Sequence, residues 1–357
     1  MVKTIKFNGI DRLYDAYSWR LTRRAKRVWS SGNVLQGQEL QNLEKQFCKK
    51  YKRRFAVGVG SATDGLYFAM RALNLNKGST VICPVLSYIA TAGAIRRLGA
   101  KINFNDVDER GNLGNLKFQQ KPDAVVYVNL YGNPADYKRI KQYCDENKAY
   151  LIEDAAQSQG AHIGSWSKKQ LSGQLGDVSV FSFDPMKNLP CFGSGGMILT
   201  DSEMVYEKLI ALRRHGLQGK SVSYGYNSLI SEDHCAQLSL LLDKFDSLQK
   251  KRTKIAERYY KNLPYEEFIK ADKDTTSSHH KLVLLHDRRD ELQKYLATHG
   301  IETKIHYPTT LHNIWSAPNY PEAEKICKRA LSLPIYPYLS NSEVDYVCER
   351  INSFNGV

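Results

Sequence analysis

A lysine held at the end of a buried strand is the most reactive arrangement in this sequence. Val178 to Phe183 alternates apolar and small polar residues with the β-branched and aromatic bias of a buried strand. Pro185 ends that strand, because its ring removes a ladder donor and biases Asp184 away from the helical region. Lys187 follows, in a turn-rich segment where Gly193, Gly195 and Gly196 permit positive φ. An amine emerging from such a place is partly desolvated, has a lowered pKa and can form a Schiff base with an aldehyde. Taken alone, the residue also reads as an ordinary surface lysine. Asp154 ends another apolar run, Ala149-Tyr-Leu-Ile-Glu153, and Ala155-Ala156-Gln157 follows it. Gly60-Ser61-Ala62-Thr63-Asp64 separates a strand from a helix, where orphan amides and the helix dipole suit a phosphate. A plain N-cap by Ser, Thr or Asp accounts for the same residues.

The elements that must position these groups form an alternating series. Residues 1–50 read as mostly helical and basic, with a loop between Gly32 and Gly37. Phe55 to Val59 is a strand, and Leu66, Ala69, Met70 and Leu73 then mark one apolar helix face. Thr80 to Cys83 predicts a strand, Tyr88 to Leu98 a helix and Lys101 to Phe104 a strand. Asp123 to Asn129 is apolar on both faces and suits a central parallel strand, with a helix from about Pro134 to Asn147 behind it. Such alternation specifies an α/β sheet whose ligands gather at strand carboxyl ends, where Thr63, Asp154 and Lys187 all fall. A long helix over Cys235–Tyr260 is expected to link a large domain, residues 1–234, to a smaller α+β domain, residues 235–357. In the latter, Leu282–Leu285 predicts a strand, while Arg288–Thr298, Pro321–Leu331 and Ser342–Phe354 predict helices.

Composition narrows the class. The chain has 357 residues, 42% hydrophobic and 25% charged, as in an ordinary globular protein. The net charge of +14 favours an anionic partner, a phosphorylated metabolite or nucleic acid. Its basic residues fall in short clusters that solvated helix faces explain, which argues against nucleic acid. Seven scattered cysteines, never Cys-x-x-Cys, argue for reduced thiols and against a disulfide framework or zinc site, and the histidines show no metal-ligand spacing. With no apolar signal core and no spanning apolar run, the expectation is a cytoplasmic protein that does not engage a membrane.

A phosphorylated pyridine aldehyde needs an amine, a carboxylate for its ring nitrogen, donors for its phosphate and an aromatic against its face. Lys187, Asp154, the Ser61–Thr63 turn and Tyr88 could supply them. From Gly37 to Tyr338 the chain resembles the sugar aminotransferases of the DegT/DnrJ/EryC1/StrS family. The likeness is carried by Gly58-Val-Gly-Ser-Ala-Thr-Asp64, Ile152-Glu-Asp-Ala-Ala-Gln-Ser158, Phe181-Ser-Phe-Asp-Pro-Met-Lys-Asn-Leu189, Gly225-Tyr-Asn-Ser228 and Gly300-Ile-Glu-Thr-Lys-Ile-His-Tyr-Pro308. That resemblance implies pyridoxal 5′-phosphate as cofactor and the aspartate-aminotransferase fold (fold type I), a mostly parallel sheet sandwiched by helices. It makes Lys187 the Schiff-base lysine and proton shuttle, Asp154 the partner of the ring nitrogen, Gln157 that of the phenolic oxygen and Tyr88 the stacking ring. Ala62, Thr63 and Ser182 would hold the phosphate, Asn227 would reach it from the neighbouring subunit of a homodimer, and His306 and Tyr307 would lie near the sugar.

The reaction so implied moves an amino group from an amino acid, usually glutamate, to a nucleotide-diphosphate-linked keto-hexose. Pro185-Met-Lys-Asn-Leu and Asn129-Leu-Tyr-Gly-Asn-Pro-Ala-Asp resemble the branch acting on 3-keto sugars, with 4-keto-6-deoxy sugars the alternative. Ala62, Asp184, Ser194, Asn129 and Leu229 depart from the family's usual Gly, aromatic, Asp or Glu, His and Arg. Dehydratase relatives carry His in place of the lysine, so Lys187 speaks against that chemistry. A cofactor-binding regulator without enzymatic activity is the reading from another class.

Overall fold

The structure, a computed structural model, describes residues 4–116, 121–164, 169–217, 224–264, 267–315 and 320–355. Two helices lead: α1 (Ile10–Ser31) and α2 (Gln38–Tyr51). Gly32 closes α1 in the left-handed region at φ 71°, its amide donating to the Trp29 carbonyl, a geometry that costs glycine nothing. Then come β1 (Phe55–Val59), α3 (Ala62–Ala72), β2 (Thr80–Pro84), α4 (Ile89–Leu98), β3 (Lys101–Asn105), β4 (Ala124–Val128), α5 (Tyr137–Asn147) and β5 (Tyr150–Asp154). Short strands β6 (His162–Ile163) and β7 (Gln170–Leu171) precede β8 (Val178–Ser182), β9 (Gly196–Thr200) and α6 (Glu203–Arg213). The 31-residue α7 (Glu232–Asn262) leads to β10 (Thr275–Thr276), β11 (Leu282–Leu285), α8 (Arg289–Thr298), α9 (Leu311–Trp315), α10 (Pro321–Arg329), β12 (Ala330–Leu333) and α11 (Asn341–Asn355).

The main sheet has seven strands in the order β1-β9-β8-β5-β4-β2-β3, and only β9 runs against the rest. Strand alternation builds a core on each face. Val57, Val81, Val126, Ile152 and Val180 pack under α3, α4 and α6. On the opposite face Ala56, Phe181 and Leu199 meet α2 and α7, and Val125, Tyr127 and Leu151 meet α5. The first half of α7 belongs to that core through Cys235, Leu241 and Phe245. Its second half, through Ile255 and Tyr259, belongs to a separate core with the antiparallel β11–β12 pair, α8 and α11. The chain's first described residues also join this second core. Ile5 bridges to Ile301, and the Phe7 ring stacks on His306 at 5.7 Å.

Four expectations are corrected. The buried strand stops at Ser182, before Pro185 can end it, because the Asp184 amide turns back to the Ser182 hydroxyl at 3.3 Å. None of Gly193, Gly195 and Gly196 has positive φ. They are small because other groups approach: a Cβ at Gly193 would lie 2.2 Å from the His234 ring, and one at Gly196 2.8 Å from the Ala62 nitrogen. The expected helix to Leu331 ends at Arg329, and Ala330 opens β12. Finally, β9 and α6 had no counterpart in the sequence reading.

Candidate active site

Most of the groups singled out in the sequence meet in one cleft of about 400 Å³ at the carboxyl ends of the parallel strands. It is lined by Ala62, Thr63, Tyr88, Asp154, Gln157, Ser182, Lys187, His306 and Tyr307. Asn227 is not among its walls; it is exposed and bridged to Arg214.

Lys187 owes its place to two nested turns. The Asp184 carboxylate accepts from the Met186 amide at 2.8 Å, and the Lys187 amide donates to the Asp184 carbonyl at 2.9 Å. Pro185 sits between them with its φ preset for such a turn. The lysine is half-buried, and among the described residues its amine makes no hydrogen bond or ion pair. Burial lowers its pKa, while Asp154 and Asp184 pull the other way. A lowered pKa makes neutral, nucleophilic amine available near neutrality.

Asp154 ends β5 in the buried class, at 4% exposure. It accepts from the Thr91 hydroxyl at 2.8 Å and from the Ala156 amide at 3.1 Å. Desolvation raises its pKa, against those two hydrogen bonds and the charge of Lys187. Among the described residues this carboxylate forms no ion pair, and a protonated ring nitrogen would supply a cation in direct contact.

At the opposite wall, Ser61 caps α3 by accepting from the Asp64 amide at 3.1 Å. The capping reading therefore holds, and it leaves further amides at the same helix start. The cap uses one amide, and those of Ala62 and Thr63 have no acceptor among the described residues. Ser182 contributes its hydroxyl to the same cleft. Gln157 is held from both sides: its Oε1 accepts from the Tyr131 amide at 2.9 Å and its Nε2 donates to the Tyr307 hydroxyl at 3.0 Å. Tyr88 stands exposed at the mouth, its ring 6.3 Å from that of Tyr307. His306 is pinned by its Nδ1 to the Ser332 hydroxyl at 2.9 Å, and burial, with Lys281 and Lys187 nearby, depresses its pKa to about 3. It is a neutral imidazole.

The sequence reading missed Thr91 and Lys281. Thr91 carried a signal: a hydroxyl four residues after Ser87, on the buried face of α4, to which Ser87 is joined at 2.8 Å. Lys281 had none, because it lies at the start of an apolar strand and reaches the cleft only through the fold. The departures Asn129 and Ser194 are explained by local bonding. Asn129 supports Glu153 at 3.0 Å, and Ser194 donates to the Gly60 carbonyl at 2.8 Å.

A parallel sheet offering a free amine against a buried carboxylate, with helix-start amides across the gap, defines an enzyme that exchanges amines and carbonyls. Comparison with known proteins gives the family. The model of the DegT/DnrJ/EryC1/StrS aminotransferase family matches residues 19–352, and the chain belongs to that family. It is 32% identical to a Geobacillus stearothermophilus pleiotropic regulatory protein, covering 96% of each. It is 32% identical to the Streptomyces venezuelae dTDP-3-amino-3,4,6-trideoxy-alpha-D-glucose transaminase, covering 98% of this chain and 96% of the relative. The solved structure of S. venezuelae DesV in complex with a ketimine intermediate superposes with a TM-score of 0.93 at 31% identity, covering 98% of both chains.

Proposed function

We propose that this aminotransferase uses pyridoxal 5′-phosphate to move an amino group from an amino acid, glutamate in our reading, to a nucleotide-diphosphate-linked keto-hexose, at C3. One observation carries the reading: among the described residues Lys187 has no hydrogen-bond or ion-pair partner, and it shares a cleft with Asp154, a buried carboxylate whose donors there are neutral. The cleft's volume suits a ligand of the cofactor's class. The resemblance of the Asn129 and Pro185 segments and the S. venezuelae relative's 3-amino product favour C3 over C4.

When bound, the cofactor supplies an aldehyde for the lysine amine and a ring that draws electrons from the substrate carbon. The protein's own residues do the rest. Asp154, oriented by Thr91, keeps a proton on the ring nitrogen. Lys187 Nζ takes the proton from the donor's α-carbon and returns one to the acceptor's. The Ala62 and Thr63 amides and the Ser182 hydroxyl would hold the phosphate, and Tyr88 would stack on the ring. Gln157 would bond the phenolic oxygen, and His306 and Tyr307 would lie near the sugar. The dimer follows the same reading, in which the exposed Asn227 serves the partner's phosphate site. The part of the +14 charge near the cleft mouth would favour a diphosphate.

The test is borohydride reduction of the yellow protein followed by peptide mass spectrometry. The adduct is expected on Lys187; an adduct elsewhere, or none, defeats the assignment. Offering glutamate with matched 3-keto and 4-keto sugar nucleotides then identifies the carbon that gains nitrogen.

A further inference from the structure

Lys281 is a second lysine in the same cleft, and the mechanism above does not use it. It is 9% exposed, and its backbone amide donates to the Tyr131 carbonyl at 3.0 Å. That fixes the residue just ahead of β11 and aims its side chain at the wall formed by Phe7 and His306. The ammonium lies 4.8 Å from the centroid of the Phe7 ring. Among the described residues it makes no ion pair and no side-chain hydrogen bond. The small cavity of about 30 Å³ behind it, bounded by Phe7, Lys187, Arg252 and Tyr336, has no acidic residue among the described residues that line it. Among the described residues lining the main cleft, the acids are Asp154, which faces Thr91, and Asp184, which is exposed and closes its own turn.

Among the described residues this buried ammonium has the Phe7 ring face and the more distant charge of Asp184 on its side, which is costly, and the cost is recovered when an anion arrives. Burial, then the charges of Lys187 and Arg252, hold its pKa down at about 7. That is the electrostatic trace of a missing counter-ion. We propose that Lys281 is the carboxylate-binding residue for the amino-acid donor, and for the keto acid that leaves. The choice of donor over sugar follows from bond counting. An amino acid's α-carboxylate sits on the very carbon that exchanges nitrogen at Lys187, so it must lie deep in the cleft, on the Lys281 wall. The diphosphate of a sugar nucleotide is several bonds from its keto carbon and has to point towards the mouth.

This inference rests on the amino-transfer reading, and its test separates the two. Holoenzyme carrying K281M or K281R is titrated with glutarate, an unreactive diacid, by calorimetry. The glutamate and keto-sugar half-reactions are followed separately by the visible band. Loss of one charge-assisted contact predicts that K281M weakens glutarate binding and raises the KM for glutamate about tenfold or more. Its kcat for that half-reaction stays within about threefold and its KM for the keto sugar is unchanged, the pattern of lost ground-state binding. K281R, which keeps the charge, recovers part of the loss. Unchanged glutarate and glutamate constants overturn the proposal, as does a rise confined to the keto sugar. If the Lys187 adduct forms normally in K281M while donor binding is unmoved, only the Lys281 assignment falls. If wild-type protein forms no adduct, the transfer reading falls instead.

Discussion

Glu153 and Asp154 are neighbours on β5, both buried, yet strand alternation sends them to opposite faces of the sheet and into opposite roles. Glu153 is surrounded by donors. The hydroxyls of Ser172 and Ser179 reach it at 2.7 Å, the Gly173 amide at 2.9 Å, the Asn129 amide group at 3.0 Å and the Leu175 amide at 3.2 Å. Among the described residues Asp154 has Thr91 and the Ala156 amide alone, and it looks into a cleft. The comparison teaches that burial alone does not mark a reactive acid. The number of donors does: a saturated carboxylate organises a turn, and an undersupplied one waits for a ligand.

Substitutions should pull the two apart. The largest effect is expected at D154N, where activity falls about a hundredfold or more because the amide cannot hold the ring proton. The purified variant should still show native unfolding cooperativity. E153Q reverses the pattern. It turns one acceptor into a donor among donors and costs roughly 2–4 kcal/mol by denaturant titration, with activity per folded site nearly unchanged. Equal losses of activity in both variants would erase the distinction. T91V comes next, lowering activity about tenfold by freeing the Asp154 carboxylate, with little change in Tm.

The smallest effect concerns pH. Because burial raises the Asp154 pKa, the folded, cofactor-free protein holds that proton to higher pH than the unfolded chain does. Asp154 therefore contributes most at acid pH, and its contribution is lost as pH rises through the raised pKa. Thermal unfolding followed as pH is raised from the ordinary carboxylate value of 3.8 should show wild-type protein losing stability relative to D154N. A wild-type minus D154N difference that grows with pH would contradict the sign.

Much of this was legible in sequence where local pattern and tertiary environment agree. Ala124–Val128 and Tyr150–Asp154 are apolar enough to need burial on both faces, and their strand ends carried Asp154 into view. The pattern misled where a glycine cluster masked a strand, as at Gly196–Thr200, whose glycine answers to the neighbouring Ala62 backbone and not to a turn. At Ala330 the apolar spacing from Ile326 continues the helical period, so nothing local announces the change to β12. The contrast between Glu153 and Asp154 was out of reach, since the donors around Glu153 come from as far away as Asn129 and Ser179.

The amide of Phe7 donates to the Glu302 carboxylate at 3.0 Å, across 295 positions of chain. This clasp joins two segments made at different times on a ribosome, Phe7 ahead of the sheet and Glu302 after it. Nascent protein would thus display the sheet, its lysine and its acid well before the wall carrying His306 can close against Phe7. In the reading proposed above, the lysine and the acid are made first, and the wall that would select what they react with follows.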